Sequence, residues 1–466
     1  MRLTILLKTI GDWYRPAIVL LAWACLLAAA EPGLGSPPNI LLITADNLGY
    51  GDLSIYNTDS PIKTPRFDRL AAEGARLTSF YTASPTCTVS RACLLTGRVP
   101  QRHGLVDQLA GIEGNYGVGL DQREILIPQL LQRAEPPYAT GCFGKWNIGF
   151  APGSRPTERG FDTFLGHASG NIDYYHHIYS QKHDLFRGTT PFHAGRHYST
   201  HLFADAAIGF ITHQSKRDRP WFCYLPFNAP HFPNARNKQP GQPNNWQAPD
   251  WAFEAYGMTP DETDPRKRYF AVVTALDAAL GRVLDALDQS GSRERTFVFF
   301  YSDNGAFRLN RKGLDVGVNT PLRSGGVTCW EGGLRVPALA RWPGHIRPGS
   351  VCDEPLWSPD LLVACAQIAG VSLPSDRVFD GRDPLPVLTA GTPSPHESFY
   401  WAYRSHAALR KGDWKIVREK PNQSWQLFHL AEDISESRDL AESEPDKRAE
   451  LVAEFDRWEK SLTPTR

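Results

Sequence analysis

Short apolar runs alternate with amphipathic stretches along most of the chain. Three runs have the continuous hydrophobicity typical of strands that are buried on both faces, namely Asn39–Thr44, Trp221–Leu225 and Thr296–Tyr301. Between the last two, apolar residues recur every three or four positions from Tyr269 to Leu287, which predicts a helix. Strands that alternate with helices predict an α/β fold, here a large, mostly parallel mixed sheet flanked by helices. Ligands bind to such sheets beyond the carboxyl ends of the strands.

A second, smaller part follows this pattern. Residues 181–265 show little periodicity outside Trp221–Leu225 and predict loops, and the Pro, Gly and Thr residues of 384–395 predict a linker. Beyond the linker we expect a small C-terminal antiparallel sheet and a helix over 447–462, with strands at Ser398–Tyr403, Ala407–Arg410, Trp414–Val417 and Trp425–Phe428. The pattern therefore predicts a large α/β domain over 37–385 and a C-terminal subdomain over 396–466.

The N-terminus has the layout of a secretory signal peptide. Arg2, Lys8 and Arg15 precede an apolar run that ends in Ala28, Ala29 and Ala30. We expect residues 1–30 to be removed and the mature chain to be secreted or periplasmic. The run is short for a bilayer crossing, so no stable membrane span is expected; an uncleaved N-terminal anchor is the alternative.

Composition limits the possible binding partners and the possible disulfides. The 50 Lys+Arg residues balance 50 Asp+Glu residues, and this excludes the broad basic field that a nucleic-acid partner needs. Export favours disulfides among the seven cysteines beyond the signal peptide, but their odd number leaves at least one unpaired. Most of them lie in apolar strings, where a cysteine is commonly a small buried hydrophobe.

Two predicted strands end in an acidic residue, an amide and, shortly after, a glycine. Asp46-Asn47 follows the first strand, and Asp303-Asn304-Gly305 follows the third. Carboxylate and carboxamide oxygens are the ligands that calcium and magnesium prefer. Either pair alone would usually be a turn, but their joint position at two strand ends predicts a divalent-cation site.

The segment 84–98 lies between these pairs. Its residues 87–91 read Cys-Thr-Val-Ser-Arg and its residues 92–98 read Ala-Cys-Leu-Leu-Thr-Gly-Arg. This resembles the sulfatases of the alkaline-phosphatase-like superfamily, whose signature is Cys-x-Pro-Ser-Arg followed by Ala-x-Leu-Leu-Thr-Gly-Arg. The resemblance extends over nearly the whole mature chain, through the blocks Asn39–Asp52, Gly144–Trp146, Asn228–Pro233, Ser302–Gly305, Trp330–Pro337 and Leu409–Lys415.

The resemblance implies hydrolysis of a sulfate ester, with a sulfated small molecule or glycan as substrate. In that family a formylglycine-generating enzyme oxidises the cysteine to formylglycine, whose hydrate is the nucleophile. By resemblance Arg91 would steady the nucleophile's hydroxyl, Lys145 would hold a sulfate oxygen, and His231 would face the leaving group or the sulfate. Calcium, rather than magnesium, would be held by Asp46, Asn47, Asp303, Asn304 and the modified Cys87. Cys87 is then withdrawn from the disulfide set, which leaves six cysteines.

Four positions depart from the family pattern. Asn47 replaces a second aspartate and brings one negative charge fewer to the metal. Val89 replaces the proline that the maturation machinery expects, which bears on the conversion of Cys87. Asn147 stands at the position of a histidine that helps deprotonate the nucleophile, and Gly326 at that of a sulfate-binding lysine; neither can supply a base or a charge. Candidate substitutes on nearby loops are Lys312, Arg311, His167, His176 and His177.

Three hypotheses follow for the function. We favour a calcium-dependent sulfatase with a divergent site. The alternatives are a phosphate or phosphonate ester hydrolase on the same scaffold, and a catalytically weakened homologue that binds sulfated glycans. The aromatic segments 173–177 and 246–251 could line a carbohydrate cleft or serve as surface packing.

Overall fold

Strands buried on both faces build the centre of the structure, which the computed structural model describes over residues 36–237, 246–308 and 315–462. Pro38–Arg466 forms one compact unit. The predicted signal peptide, residues 1–30, lies outside the described residues. In the described part no helix is both long enough and apolar enough to cross a membrane.

The central sheet has ten strands and is mixed. All three apolar runs of the sequence lie in its middle, side by side and parallel, which confirms the predicted α/β fold. In spatial order its strands are Ser350–Cys352, Ala75–Leu77, Ala338–Arg341, Thr296–Ser302, Asn39–Ala45, Trp221–Pro226, Ala139–Lys145, Thr163–His167, Phe186–Arg187 and Thr190–Pro191. Two small two-stranded sheets pair Leu356–Trp357 with Phe80–Tyr81, and Ile178–Tyr179 with Lys182–His183.

Helices flank the sheet and complete two apolar cores, one on each face. The helix predicted from Tyr269 to Leu287 forms over Pro265–Gln289, where the side chain of Asp264 caps its first turn by accepting from the Arg266 amide. The helices of the described chain are Pro65–Glu73, Cys87–Thr96, Pro100–His103, Gly111–Tyr116, Ile127–Leu131, Ser199–Gln214, Asp250–Glu254, Pro265–Gln289, Glu331–Leu334, Asp360–Ile368, Leu385–Ala390 and Pro445–Ser461.

One prediction about an irregular segment is wrong. The stretch 181–265 contains the 16-residue helix Ser199–Gln214 in addition to loops and short strands. Its buried stripe includes Ser199, Thr200 and two alanines, so the hydrophobic contrast between its faces is weak and the period is hard to see in the sequence. The predicted linker 384–395 contains the short helix Leu385–Ala390.

The C-terminal part forms the predicted four-stranded antiparallel sheet and terminal helix. Its strands are Ser398–Tyr403, His406–Lys411, Trp414–Arg418 and Gln426–His429. The fully buried Lys415 joins this sheet to the rest of the fold, with its Nζ 2.9 Å from Glu331 and 2.8 Å from Glu436. The division into domains over 37–385 and 396–466 stays a prediction.

Most of the described cysteines are small buried hydrophobes, as their apolar neighbours predicted, and not disulfides, as export predicted. All seven from Cys87 to Cys365 are free thiols, and six of them are buried. Cys87 and Cys93 share one helix and Cys329 lies in a loop, while the other four lie in separate strands and helices. The disulfides that export favoured do not form among the described residues.

Candidate active site

Two neighbouring strands deliver the acidic residues of the site. Asn39–Ala45 and Thr296–Ser302 run parallel with Ala45 opposite Ser302, so the residues that follow them emerge at the same edge of the sheet. The Asp303 amide donates to the Ala45 carbonyl at 3.0 Å, and the Asn47 amide donates to Asp303 Oδ1 at 3.2 Å. Asn47 has a φ of 63°, a left-handed conformation that asparagine adopts more readily than most residues. The structure therefore brings both predicted metal pairs together.

Cys87 is the first residue of the helix Cys87–Thr96 and points at this edge. Its Sγ lies 3.3 Å from Asp46 Oδ1 and 3.7 Å from Asn47 Oδ1. Burial, reinforced by the negative charge of Asp46, raises the pKa of the Cys87 thiol well above its usual value. An unmodified Cys87 is therefore a neutral thiol and a poor nucleophile, because the thiolate is the reactive form.

Two buried cations neutralise the two carboxylates. Lys145, the last residue of its strand, places Nζ 2.6 Å from Asp46 Oδ2. Arg91 lies one helical turn beyond Cys87 and places Nη2 2.7 Å from Asp303 Oδ2. All four side chains are fully buried, and pairing is the condition under which charges are tolerated there. The Arg91 Nε has no hydrogen-bond partner, which leaves one buried donor free at the site.

The oxygen atoms of the site suit a hard divalent cation. Asn304 is fully buried and its Oδ1 has no hydrogen-bond partner, while its Nδ2 donates to Asn47 Oδ1 at 2.6 Å. An unsatisfied buried carbonyl oxygen beside two carboxylates is an arrangement that a cation completes. Ligand atoms of Asp46, Cys87 and His231 also lie within 4.8 Å of one another. The residues present therefore fit the calcium or magnesium ion that the strand ends predict.

His231 lies beside Cys87 and is held in one orientation. Its Nδ1 donates to the Phe232 carbonyl at 2.8 Å, which places a hydrogen on Nδ1 and leaves Nε2 as an acceptor. The Asn171 amide lies 3.5 Å from the same nitrogen, and the Tyr174 hydroxyl fixes the His231 carbonyl at 2.6 Å. Burial, with a smaller effect from Lys145, lowers the pKa of His231 to about 3. The imidazole is therefore neutral near pH 7.

Asn147, at the position of the family histidine, belongs to a polar network. Its Oδ1 accepts from the Thr88 hydroxyl at 3.1 Å and from Gln108 Nε2 at 3.3 Å, and its Nδ2 donates to Asn115 Oδ1 at 3.1 Å. Gln108 also accepts from the Thr88 amide at 3.0 Å. Asn147 thus holds Thr88, the residue next to Cys87, in place, and its neutral amide cannot act as a general base.

Gly326, at the position of the family lysine, is enclosed by an aromatic ring. A Cβ placed on this glycine would lie 2.3 Å from Cδ1 of Phe307 and 2.7 Å from the Gly305 carbonyl oxygen. The ring of Phe307 meets the ring of His231 edge to face, with centroids 5.9 Å apart. No side chain fits at 326 while Phe307 occupies this place.

The three histidines considered as substitutes have different surroundings in the structure. His167 is fully buried, stacks on Phe203, and has its Nδ1 4.0 Å from Asp184. His176 pairs with Asp173 at 3.0 Å, and His177 bonds the His197 carbonyl at 3.0 Å. The other two candidates, Lys312 and Arg311, lie outside the described residues.

The two aromatic segments considered for a carbohydrate cleft meet each other. Gln247 accepts from the Tyr174 amide at 2.8 Å and donates to Asp173 at 2.8 Å. Beside this contact is a cavity of about 340 Å³, lined by residues that include Tyr175, His176, Arg196, Gln247, Asp250 and Arg268. Trp246 is buried against Phe232, whereas Trp251 is 40% exposed. The two segments therefore pack against each other in part and in part line an open cavity.

Sequence reasoning missed three contributors. Phe307 lies four residues after Asp303, and Asn171 and Gln108 lie on loops without a motif. The absence of a side chain at Gly326 was a signal that another residue fills its place, but the sequence does not identify that residue. The partners of His231 and Asn147 depend on loop paths that periodicity does not predict.

Comparisons with known proteins agree with this geometry. The model of the family described as Sulfatase matches residues 38–371. The N-acetylgalactosamine-6-sulfatase of Rattus norvegicus is 34% identical over 434 residues, covering 89% of this chain and 77% of that protein. Arylsulfatase A of Homo sapiens is 35% identical over 433 residues, covering 86% and 77%. The crystal structure of Ps i-CgsB in complex with k-i-k-neocarrahexaose superposes with a TM-score of 0.80 at 31% identity, covering 91% of this chain and 93% of that one.

Proposed function

We propose a catalytic apparatus for this chain on the premise that it belongs to the sulfatase family and is a sulfuric ester hydrolase. In this proposal Cys87 is converted to formylglycine, and Asp46, Asn47, Asp303 and Asn304 hold a calcium ion. The observation that carries it is the position of Cys87 Sγ, 3.3 Å from Asp46, at an edge where two buried cations and an unsatisfied amide oxygen converge.

Each described residue has a role that its contacts allow. When bound, calcium and the formylglycine hydrate would supply an activated hydroxyl for attack on sulfur. The free Nε of Arg91 would donate to that hydroxyl and hold it in line. The Lys145 ammonium, 2.6 Å from Asp46, would exchange part of this contact for a sulfate oxygen. Because its proton is on Nδ1, His231 would present an unprotonated Nε2, which would first take the proton of the nucleophile's hydroxyl and then pass it to the leaving-group oxygen.

The substrate class proposed is a sulfated glycan. The name of the Rattus norvegicus relative points to sulfated N-acetylgalactosamine, and the Ps i-CgsB structure holds k-i-k-neocarrahexaose. In this chain, the cavity between Tyr175 and Arg268 supplies aromatic and cationic side chains of the kind that contact sulfated sugars. The maturation partner proposed is a formylglycine-generating enzyme, and the compartment proposed is secreted or periplasmic.

A substrate panel tests the hydrolase assignment. Protein co-expressed with the maturation enzyme is assayed on 4-nitrophenyl sulfate and 4-nitrophenyl phosphate, with Cys87→Ala as the blank. We expect turnover of the sulfate ester that exceeds turnover of the phosphate ester and disappears in the blank. A preference for phosphate would instead support the phosphate ester hydrolase, and equal rates in the blank would refute the role of Cys87.

Calcium titration tests the metal assignment separately. Asp303→Ala removes a carboxylate that bonds both Arg91 and the Asn47 amide, so we expect it to abolish calcium binding in calorimetry. Asp205→Ala, which removes a partly exposed carboxylate of the helix Ser199–Gln214 that pairs with Arg282, is the matched control and should bind as the unaltered chain does. Unchanged affinity in Asp303→Ala would contradict the assignment.

A further inference from the structure

The space in which the family carries a lysine is filled by an aromatic ring in this chain. A Cβ at Gly326 would lie 2.3 Å from Cδ1 and 2.6 Å from Cε1 of Phe307, both well inside contact distance. The backbone prevents an easy shift, since the Gly326 amide donates to the Ala306 carbonyl at 3.0 Å and the two segments form a parallel bridge. Phe307 and Gly326 are therefore a complementary pair, in which the ring requires the glycine.

The ring belongs to an aromatic wall, which we define as Phe307, His231 and Phe232. Phe307 meets His231 at 5.9 Å and 78° and meets Phe232 at 6.4 Å and 64°, both edge to face. His231 is buried, whereas Phe307 and Phe232 keep part of their surface exposed. Because Phe307 packs against His231, and ligand atoms of His231, Asp46 and Cys87 lie within 4.8 Å of one another, the wall adjoins the site that holds Cys87.

The aromatic wall contributes apolar surface rather than charge to the site. Lys145 and Arg91 stand beside Asp46 and Asp303 at 2.6 and 2.7 Å, so each buried cation already has a carboxylate partner. The ring of Phe307 adds no charge where the family pattern has an ammonium group. An aromatic face binds the apolar faces of sugar and aryl rings instead, because flat rings bury large areas when they stack.

We infer that Phe307 is a specificity-determining residue that contacts the ring of the substrate's leaving group, in place of a third cation on the sulfate. The inference rests on the proposed function, since it assigns the leaving group of that reaction. It predicts that ring-bearing sulfate esters, such as aryl and saccharide sulfates, gain affinity from Phe307 while small acyclic alkyl sulfates gain none.

Steady-state kinetics on the matured protein tests this selectivity. We expect Phe307→Ala to raise KM for 4-nitrophenyl sulfate about tenfold, the size of one lost aromatic contact, with kcat within about threefold. KM for a short alkyl sulfate should stay within about twofold. Phe307→Tyr should keep the low KM, and Phe307→Leu, which preserves apolar bulk without a flat ring, should raise it. Equal effects on both substrate types, or no effect on either, would overturn the inference.

A binding measurement separates this inference from the nucleophile assignment. Calorimetry of 4-nitrophenyl sulfate is compared between Cys87→Ala and Cys87→Ala with Phe307→Ala, neither of which can form formylglycine. We expect about tenfold weaker binding in the double variant. Identical affinities would overturn the role of Phe307. Failure of the matured chain to turn over any sulfate ester would refute the proposed apparatus, while the binding difference would still support the contact.

Stability measurements test the complementary pair itself. Gly326→Ala should lower the unfolding midpoint, and adding Phe307→Ala should recover part of that loss. The ring then no longer meets the new Cβ, although the Gly305 carbonyl oxygen, 2.7 Å from it, still does. Gly209→Ala, at a helical glycine with nothing within 4 Å, is the matched control and should not lower the midpoint. Additive losses in the first pair would show that the ring does not exclude a side chain at 326, against the inference.

Discussion

Replacing Lys145 by methionine probes how the site balances charge. The substitution keeps the length of the side chain but removes an ammonium 2.6 Å from Asp46 Oδ2, where both side chains are fully buried. At an effective dielectric constant of about 20, that contact corresponds to roughly 6 kcal/mol of Coulomb energy before desolvation is subtracted. Breaking a buried pair by removing one partner costs about 3–5 kcal/mol. When calcium is absent, we therefore expect the free energy of unfolding of Lys145→Met to be about 3–5 kcal/mol lower than that of the unaltered chain.

Calcium should restore much of the lost stability, because it replaces the positively charged partner that Asp46 loses in Lys145→Met. The assay is chemical unfolding of the full chain with chelator and with saturating calcium, and calcium should stabilise Lys145→Met by about 2 kcal/mol more than the unaltered chain. Lys216→Met, at an exposed lysine, is the matched control and should change little in either condition. A loss below about 1 kcal/mol in chelator, or an equal calcium effect in both proteins, would refute the charge balance described here.

Three further predictions concern other parts of the structure. Asn304→Ala removes the unsatisfied amide oxygen and should weaken calcium binding at least tenfold by calorimetry, and equal affinity would contradict its role as a ligand. Lys415→Met removes the buried cation that contacts Glu436 and leaves Glu331 with Arg335 alone among its described ion-pair partners, so chemical unfolding should show a loss of about 3–5 kcal/mol; a loss within about 0.5 kcal/mol would contradict it. Burial raises the pKa of Asp277 to about 7, so the stability it contributes is complete below about pH 4 and is lost as the pH rises through 7. Asp277→Asn should flatten the fall in unfolding midpoint across that window, and an unchanged slope would contradict the shift.

The sequence predicted the framework of the site because that framework depends on local patterns. Asp46 and Asp303 follow continuous apolar runs, and such runs form buried parallel strands whose carboxyl ends share one edge. Cys87 and Arg91 were identified from the sulfatase signature instead, and the structure places both on one helix, one turn apart. These placements need no knowledge of the loops.

The remainder depends on tertiary contacts that no local pattern encodes. The pairing of Lys145 with Asp46 joins residues 99 positions apart, and that of Arg91 with Asp303 joins residues 212 positions apart. The helix Ser199–Gln214 was missed because alanine, serine and threonine form part of its buried stripe. Phe307 was missed for a related reason, since its place over Gly326 is visible only once both loops are in position.

The central claim is that Cys87 in its converted form is the nucleophile, and the mass of its peptide tests this most directly. The chain is co-expressed with a formylglycine-generating enzyme, and the converted fraction is compared with the rate on 4-nitrophenyl sulfate across preparations. Val89→Pro, which restores the family signature, is the matched variant. We predict that the rate rises in proportion to the converted fraction in both proteins. Full activity in protein whose Cys87 is an unmodified thiol, or complete conversion without turnover, would contradict the account.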